Sequence, residues 1–370
     1  MINLLFCNVG RRGRLIKNAK HSLAGRGTII AASQTEYSPA LYCADKQYIT
    51  PPIEAPEYID FLLSICKKEN VNAITTLIDP EISILAEHRS LFEKENIFVF
   101  TPDKRTADLC FDKFKFFQYL TEQGIPTVKT FRDLESFKNA YKKNEISFPV
   151  FIKPVSGSGS VGARKVENMG DLESLFIEKA YDYIIQEFMD AEDLDADVYV
   201  DYHTHEAVSA FAKRKLETRI GGASKTVSFK DEQLFDTIKQ LVKIFKFSGT
   251  IDVDFFCKNG VYYISEINPR FGGAYLHPYG VGIDFFDLMF NNISGRKNTP
   301  VFGNYDEGSV MMMYDDVVVL KQEMLATMNG GGGGYYYLIK ISLSSIITVF
   351  DSAVRESIFI EKENGYAVPA

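Results

Sequence analysis

Two short runs of acidic and amide side chains carry the residue types that bind a metal ion. Asp252 and Asp254 lie on one apolar run, and Glu266 and Asn268 lie on the next. Side chains two residues apart on a strand share a face, so each run presents its pair on one side. Oxygen ligands of this kind suit Mg²⁺, which retains waters and takes further ligands from phosphates. Arg270, just beyond the second pair, is placed to fork onto a phosphate or a carboxylate.

A β-hairpin would bring these two runs together. Residues 249–257 and 261–268 are rich in residues that favour strands, and Asn259-Gly260 between them is a strong hairpin turn. If the runs pair, several oxygen ligands meet at one end of a sheet. Because short motifs match by chance, a hairpin with a solvated acidic rim is the alternative.

A glycine-rich segment is a candidate for binding phosphate groups. A strand-like run, residues 149–154, leads directly into Ser156, Gly157, Gly159 and Gly162. The spacing satisfies GxGxxG, but residues 163–166 look like a returning strand rather than the helix that a dinucleotide site requires. We therefore expect a hairpin flap whose backbone N–H groups close over a polyphosphate, with Lys153 supplying a positive charge. A surface turn rich in Ser and Gly is the alternative.

Charged residues also cluster on either side of residue 200. One of the carboxylates after the strand-like run 183–189 could hold ribose hydroxyls, whereas a solvated strand edge is expected for most of Asp190, Glu192, Asp193, Asp195 and Asp197. A basic patch ahead of Gly221-Gly222 suggests an anion site or, equally, an exposed loop; it consists of Lys213, Arg214, Lys215 and Arg219.

The first part of the chain, to about residue 103, alternates strand and helix patterns and predicts a doubly wound α/β domain. Gly10-Arg11-Arg12-Gly13 follows the first strand, and we interpret it as a tight turn because GxxG is a weak nucleotide signal. Asp79 and Glu81 follow a later strand, where open α/β sheets bind ligands. We assign Glu81 to the start of a helix and leave Asp79 open between that role and a site.

Composition narrows the class of protein. The chain has 370 residues, 46% of them hydrophobic, so we expect two or three lobes. A net charge of -8 argues against nucleic-acid binding, although a local basic cleft is compatible with it. Scattered cysteines without CxxC spacing and the lack of a signal peptide or a long apolar run predict a cytoplasmic protein that does not enter membranes.

The order of these motifs resembles the ATP-grasp superfamily and, within it, single-chain proteins similar to the carbamoyl-phosphate synthase large subunit. The motifs are Asp-Lys before a helix, Lys-Pro before a glycine flap, Gln-Glu-Phe, Asp-Val-Asp-Phe-Phe and Glu-Ile-Asn-Pro-Arg. The resemblance spans residues 1 to about 320. It implies an α/β and α+β architecture: a doubly wound pre-ATP-grasp domain (1–103), a small lobe with the flap (104–190), a large lobe with the metal site (191–325), and a Gly-rich linker with an atypical tail (326–370).

The resemblance also implies roles for matching residues. ATP would be held by Lys113, Lys153, Ser156, Gly157, Gly159, Gly162, Gln186, Glu187, Phe188, Met189 and Asp193, with Asp195 the alternative to Asp193. Mg²⁺, or Mn²⁺ in its place, would be bound by Asp254, Glu266 and Asn268. The catalytic residues would be Lys153 with Arg219 and Arg270, the two arginines meeting the γ-phosphate and an acyl phosphate.

The implied activity is ATP- and Mg²⁺-dependent ligation of a small carboxylate to an amine through an acyl phosphate, with release of ADP and phosphate and a homodimer as the candidate assembly. An ATP-dependent phosphotransferase and a non-catalytic nucleotide-binding subunit are the alternatives. Gly222 and residues 271–277 depart from the family pattern. The second departure puts bicarbonate and carbamate as substrates in doubt.

The end of the sequence does not match the family. Residues 308–320 predict a closing strand with Met311, Met312 and Met313 in the core. A five-glycine run at 330–334 is followed by three tyrosines and an apolar stretch. We interpret the run as a flexible linker to a strand-forming tail. A slipped guanine tract, which would put the tail out of frame or truncate a second module, is the alternative hypothesis.

Overall fold

The first domain is a parallel sheet covered by helices. The computed structural model describes residues 1–157, 159–178, 180–219 and 222–327. The strands of this domain are β1 (Ile2–Cys7), β2 (Gly27–Ser33), β3 (Lys46–Ile49), β4 (Ala73–Thr76) and β5 (Phe98–Val99), and its helices are α1 (Gly13–Leu23), α2 (Tyr58–Glu69), α3 (Asp79–Glu87) and α4 (Arg89–Lys94). A short 3₁₀ helix, Pro39–Cys43, precedes β3.

The strand order is β3-β2-β1-β4-β5, so the direction in which strands are added reverses between β1 and β4. Sheets of this kind form a crevice at that reversal, beyond the carboxyl ends of the strands. The last four residues of β1 are fully buried apolar side chains, as expected for a parallel strand covered on both faces. The apolar stripe of α2 packs there, with Leu62 and Ile65 in the same core as Leu5 and Ile30. The predicted doubly wound sheet is confirmed.

The next part of the chain is a small antiparallel sheet with helices beside it. Helices α5 (Lys104–Phe111) and α6 (Lys113–Glu122) lead into β6 (Thr130–Phe131), α7 (Leu134–Lys142), β7 (Val150–Pro154), β8 (Arg164–Val166), α8 (Met169–Glu178) and β9 (Tyr183–Glu187). The strand order is β6-β9-β7-β8. Strands β7 and β8 pair antiparallel, from Val150 with Val166 to Ile152 with Arg164. The glycine segment therefore joins two strands of a hairpin, as the sequence predicted, and does not open a helix.

The largest sheet is antiparallel and follows in the chain. Its strands are β10 (Glu192–Val200), β11 (Ala207–Arg219), β12 (Gly222–Phe229), β13 (Gly249–Lys258), β14 (Val261–Asn268) and β15 (Val310–Met312), and its helices are α9 (Glu232–Lys243), α10 (Leu276–Gly280) and α11 (Phe285–Ile293). The strand order is β14-β13-β10-β11-β12-β15. A 3₁₀ helix, Gln322–Met324, lies near the end of the described chain.

The two faces of this sheet differ in polarity, because apolar and charged residues alternate along its central strands. Leu194 and Val198 of β10 and Val253 of β13 lie in one core with Leu234 and Ile238 of α9. The side chains between them, which are charged, project from the opposite face. That face looks away from α9 and carries the candidate site.

The predicted hairpin is present, with the register that the site needs. Asn259 and Gly260 have φ values of 53° and 75°, as a two-residue turn of type I′ requires. Across β13 and β14, Asp252 pairs with Asn268, and Asp254 pairs with Glu266.

The predicted closing strand was too long, and its methionines are not in the core. Only Val310–Met312 forms a strand, at the edge of the sheet beside β12. Met312 is 65% exposed and Met313 is 37% exposed, because β15 is a short strand at the edge of the sheet. The glycine run and the tail after it lie outside the described residues. Within those residues, no helix has both the length and the apolar character needed to cross a membrane.

Candidate active site

Glu266 lies between two lysines that come from different parts of the small lobe. Asp112 caps α6 by accepting hydrogen bonds from the N–H groups of Phe114 (3.1 Å) and Lys115 (3.0 Å), which fixes Lys113 at the first position of the helix. Lys113 Nζ lies 3.7 Å from Glu266 Oε1, and Lys153 Nζ lies 3.7 Å from Glu266 Oε2. Each carboxylate oxygen of Glu266 thus faces one ammonium group.

These charges act on one another at low exposure to solvent. Burial lowers the pKa of Lys153, and Glu266 offsets part of that effect. Burial alone would raise the pKa of Glu266, but Lys113 and Lys153 bring that pKa below its usual value. Glu266 is therefore ionised at neutral pH and presents a negative charge to the cleft.

Asp254 and Asn268 complete the oxygen donor set predicted for a metal. Asp254 Oδ1 accepts a hydrogen bond from Lys215 Nζ at 2.5 Å, and Asn268 Nδ2 donates to Asp254 Oδ2 at 3.4 Å. The described residues contain no group of three or more His, Cys, Asp or Glu side chains arranged to hold a metal ion. Mg²⁺ at nucleotide sites needs only one or two carboxylates beside the phosphates. The donor set therefore fits Mg²⁺ bound together with a polyphosphate and does not fit a metal held by protein alone.

Arg270 joins this site to the first domain. Its Nε lies 2.9 Å from Asp79 Oδ1, and its Nη2 donates to Asp79 Oδ2 at 3.1 Å, which makes a forked pair. Its Nη1 lies 3.5 Å from Asp252 Oδ2 and donates to the carbonyl oxygen of Phe271 at 3.1 Å. The two carboxylates raise the pKa of Arg270 despite its burial. Asp79, which the sequence left open, is thus an ion-pair partner at the carboxyl end of β4.

Asp195 and Asp197 are buried and do not lie at the solvated strand edge expected for most of the acidic residues, and Lys213, for which the sequence left an anion site and an exposed loop open, is buried with them. Lys213 is fully buried and donates to Asp195 Oδ1 at 2.9 Å and to Asp197 Oδ2 at 2.5 Å. Lys215 pairs with Asp193 Oδ1 at 2.9 Å as well as with Asp254. Asp195, Asp197 and Lys213 are buried because this face is covered as well, with Gly272 of the loop after β14 lying against the carboxylates of Asp197 and Asp252. The strict alternation of Asp193, Asp195 and Asp197 with apolar residues was the signal that could have found this face.

The flap depends on backbone conformations that favour glycine. Gly157, Gly159 and Gly162 have φ values of 120°, 72° and 76°. A Cβ atom at Gly162 would lie 2.9 Å from the ring of Tyr181. The base of the flap is held by Lys113, whose backbone N–H donates to the carbonyl oxygen of Val155 at 2.9 Å and whose Nζ donates to that of Gly157 at 2.7 Å. Ser156, between these two contacts, is half-buried.

The residues predicted to line an adenine pocket lie at the end of β9 and just beyond it. Gln186 directs its Nε2 to Thr130 Oγ1 (3.0 Å), so its side chain is used within the small lobe. Glu187 Oε1 lies 3.6 Å from Lys258 Nζ. The ring centroid of Phe188 lies 4.6 Å from Lys165 Nζ, and Met189 is buried. Their roles toward a nucleotide stay predictions.

Arg219 is a predicted catalytic residue that the structure does not bring to Lys153 or Arg270. It ends β11, its side chain is 66% exposed, and its Nη1 lies 3.8 Å from Asp315 Oδ1. A role for Arg219 at a phosphate therefore stays a prediction and requires this end of the hairpin to approach the cleft.

Glu81 has a larger structural role than the helix start assigned to it. Its carboxylate is fully buried and accepts hydrogen bonds from Asn8 Nδ2 (2.7 Å), from the Tyr58 hydroxyl and from Thr76 Oγ1. Burial raises the pKa of Glu81, and those hydrogen bonds act against the increase. Glu81, on α3, thus connects Asn8, which follows β1, with Tyr58 of α2 and Thr76 of β4.

Both domains match known sequence families. Residues 4–100 match the model described as PylC-like, N-terminal domain, and residues 110–274 match the model described as ATP-grasp domain. The chain is 22% identical over 237 residues to the carbamoyl phosphate synthase arginine-specific large chain of Bacillus subtilis, which covers 61% of this chain and 22% of that protein. It is 25% identical over 201 residues to the D-alanine--D-alanine ligase of Lactococcus lactis subsp. cremoris, which covers 47% of this chain and 57% of that one. The chain therefore spans between a fifth and somewhat over half of these relatives.

The fold has counterparts among solved structures. The biotin carboxylase domain of 2-oxoglutarate carboxylase from Hydrogenobacter thermophilus, solved with MgADP, ADP and bicarbonate, superposes with a TM-score of 0.67 at 16% identity. The superposition covers 83% of this chain and 73% of that one. At this level of identity the similarity establishes the fold alone.

Proposed function

Because the chain belongs to the ATP-grasp superfamily, we propose that it is an ATP- and Mg²⁺-dependent ligase that joins a small carboxylate to an amine through an acyl phosphate. The observation that carries the proposal is the position of Glu266, with Lys113 and Lys153 each at 3.7 Å and the paired Asp254 on the neighbouring strand. The carboxylate and ammonium groups thus alternate around one cleft. That arrangement suits a metal-bound polyphosphate, because the carboxylates can bind the positive metal ion and the ammonium groups can bind the negative phosphates.

The residues would divide the work between phosphate, metal and acyl groups. Lys113 and Lys153 would bind the ATP phosphates, and the flap from Gly157 to Gly162 would close over them and exclude water. Glu266, Asp254 and Asn268 would hold Mg²⁺, which supplies charge neutralisation on the phosphates when bound. When the triphosphate enters, the ammonium groups would exchange their contacts with Glu266 for contacts with phosphate oxygens.

The reaction would proceed in two steps that need no side-chain nucleophile. An oxygen of the acid substrate attacks the γ-phosphorus, and the bond from that phosphorus to the bridging oxygen breaks with ADP leaving. The amine nitrogen then attacks the acyl carbon, phosphate leaves with the electrons of the carbon–oxygen bond, and the nitrogen gives up its proton. Arg270 would stabilise the negative charge that develops on the acyl oxygen.

The proposal is tested by replacing the carboxylate that both lysines face. In Glu266→Gln we expect ADP release to fall by at least about a hundredfold, since the side chain keeps its shape and loses the charge that binds the metal. Measurement of ADP release over pairs of carboxylic acids and amines gives the rate, and circular dichroism checks the fold. Glu122→Gln, at an exposed position on α6, is the matched control. ADP release by Glu266→Gln at the wild-type rate would refute the metal assignment.

A trapping experiment separates the ligase from the alternative activities. Hydroxylamine added in place of the amine converts an acyl phosphate into a hydroxamate. A hydroxamate that forms only with ATP and the correct acid supports the ligase. A stable phosphorylated product without hydroxamate indicates a phosphotransferase, and binding of ATP without any ADP release indicates a non-catalytic subunit.

A further inference from the structure

The β1–α1 turn carries a cationic group that the reaction described above does not use. We propose that Arg12 binds an anionic group of the acid substrate, distinct from the carboxylate that is activated, and so selects acids that carry a second negative charge. The inference rests on the proposed ligase function and adds a charge requirement to it. The chemical class is a dicarboxylic or phosphorylated acid.

The turn that carries Arg12 lies at the reversal of the parallel sheet and is rigidly held. The N–H of Val9 donates to the carbonyl oxygen of Ala32 at 3.2 Å, and that of Arg12 donates back to Val9 at 3.0 Å. Gly10, with φ of 48°, accepts from the N–H of Ala40 at 3.1 Å. The direction of the Arg12 side chain is therefore set before any ligand arrives. The crevice at such a reversal is where open α/β sheets bind their ligands.

Arg12 and Arg270 share one acceptor. Arg12 Nη1 donates to the carbonyl oxygen of Phe271 at 2.6 Å, and Arg270 Nη1 donates to the same oxygen at 3.1 Å. The two guanidinium groups are therefore neighbours, although they come from different domains. Burial, followed by the charge of Arg270, lowers the pKa of Arg12 to about 10, and the carboxylates of Asp79, Asp252 and Asp197 act against that decrease. Neighbouring like charges at low exposure favour an anion between or beside them.

Arg12 forms no ion pair of its own among the described residues, although the carboxylates of Asp79, Asp252 and Asp197 lie near enough to act on its charge. Both oxygens of Asp79 are engaged by Arg270, and the nearer oxygen of Asp252 also lies toward Arg270. Within the part of the chain that the structure describes, the Arg12 side chain hydrogen-bonds only to the carbonyl oxygens of Phe271 and Gly272, both through Nη1. A guanidinium group has five N–H donors in a planar fork. One edge of the fork therefore remains for a carboxylate or a phosphate, the groups that match its geometry.

The helix that begins at this turn adds to the positive potential. Helix α1 starts at Gly13, no side chain caps its N-terminus, and its first turn contains no acidic residue. Its free N–H groups and its dipole favour an anion at that end. Arg11, beside Arg12, is exposed and makes no ion pair within the described part of the chain.

The position favours the acid substrate over the nucleotide as the source of the anion. The proposed phosphate ligands Lys113 and Lys153 face Glu266, with Lys113 tied to the flap. Arg12 instead contacts the loop that follows Arg270, the residue proposed to meet the acyl group. An acid whose activated carboxylate lies at Arg270 can therefore place a second anionic group at Arg12.

The test compares acids that differ in one charge. ADP release by the full chain with ATP, Mg²⁺ and a common panel of amines is measured for glutamate against glutamine, aspartate against asparagine, and phosphoserine against serine. We expect the charged member to be preferred. In Arg12→Met, the KM for that acid should rise about tenfold to a hundredfold, with the KM for ATP within about twofold of wild type. Arg12→Lys should recover part of the loss, and Arg296→Met is the matched control on the exposed surface of the large lobe.

The opposite outcomes overturn the inference. A wild-type preference for the uncharged member, or an Arg12→Met variant that raises the KM for ATP as much as that for the acid, rules it out while the ligase function stands. If no acid supports ADP release, the proposed function fails, and titration with citrate decides on the anion site separately. Loss of citrate binding in Arg12→Met supports the anion site, whether or not Arg12→Lys also loses it. Unchanged citrate binding in Arg12→Met refutes the site.

Discussion

At the scale of single residues, the charged face of the large sheet sets the protonation states on which the site depends. Lys213 is held between Asp195 and Asp197, and Lys215 between Asp193 and Asp254. Each lysine compensates two carboxylates that would be costly to bury alone. Even so, burial raises the pKa of Asp197 to about 6. Burial is the main cause of that increase, and the neighbouring charge of Asp195 adds to it.

His277 allows a prediction about pH, because it lies close to this network. Its Nδ1 hydrogen-bonds with Thr226 Oγ1 at 2.7 Å, the ring packs on Phe211, and burial followed by the charge of Lys213 lowers its pKa to about 4. In the unfolded chain the pKa is about 6.5. The unfolded state therefore binds more protons between those values, and His277 makes the protein less stable as the pH falls through that range.

We expect His277→Gln to weaken this dependence. Urea unfolding at pH 7.5, 6 and 5 should show a smaller loss of unfolding free energy in the variant than in wild type. Asp197 acts in the opposite direction, because its raised pKa favours the folded state at low pH. Both proteins contain Asp197, so its contribution cancels when their pH profiles are compared. Parallel pH profiles for the two proteins would contradict the assignment.

At the scale of elements, the flap is a hairpin in which one glycine, Gly162, has different surroundings from those of a glycine at a helix end. Gly162 has a φ of 76°, and a Cβ atom added to it would lie only 2.9 Å from the ring of Tyr181. Gly124, at the end of α6, has a φ of 68° with nothing within 4 Å of such an atom. The pair therefore separates the cost of backbone conformation from that of the steric clash.

We expect Gly124→Ala to lower the free energy of unfolding by about 1 kcal/mol, since an L side chain is strained at positive φ. Gly162→Ala should cost more and should also slow ADP release, because the flap must shift to accommodate Tyr181. Urea unfolding and steady-state kinetics measure the two effects. Removing the ring in Gly162→Ala/Tyr181→Ala should recover the part due to the clash. Equal stability of the two single variants would count against the contact with Tyr181.

Local patterns in the sequence predicted the elements with short-range signals. Asn259-Gly260 fixed the hairpin and its register, and Asp112 was identified correctly as the cap of α6. Alternation along β10 and β11 shows which residues share a face, but it does not show whether another layer covers that face. For this reason the sequence did not reveal that Lys213 is buried, and it wrongly placed Met312, which is exposed, in the core.

At the scale of the whole molecule, the first domain and the large lobe are joined by contacts between distant parts of the chain. Arg270 and Asp79 are 191 residues apart, and Arg12 and Phe271 are 259 residues apart. No local pattern contains that information, since it depends on how the two sheets meet. The sequence therefore singled out Glu266 and Arg270 in the large lobe, whereas it left both the role and the partner of Asp79 undetermined and interpreted the turn at Arg12 as structural.

The ion pair between Asp79 and Arg270 can be compared with a second one that also spans the domains. Both side chains of the first pair are about one-tenth exposed, whereas Lys17 and Asp316, at 3.1 Å, are 35% and 66% exposed. Breaking a buried pair leaves a charge without compensation, whereas an exposed pair contributes little.

We expect Asp79→Asn to lower the free energy of unfolding by about 3 kcal/mol and to raise the KM for the acid, because Arg270 loses the fork that orients it. Asp316→Asn should change the free energy of unfolding by no more than about 1 kcal/mol and leave the kinetics unaltered. Urea unfolding and ADP-release assays on both variants decide the matter. Similar small losses for the two would show that Asp79 does not orient Arg270.

The carbonyl oxygen of Phe271 has a consequence for how this protein can diverge. Because the shared acceptor belongs to the main chain, exchanging the side chain at that position cannot delete it. A scan that replaces the side chain of Phe271 would therefore not detect the shared hydrogen bonds, although replacing either arginine removes one of them. On the acceptor side, only a chemical change to the peptide link itself, such as an ester in place of the following amide, would weaken both.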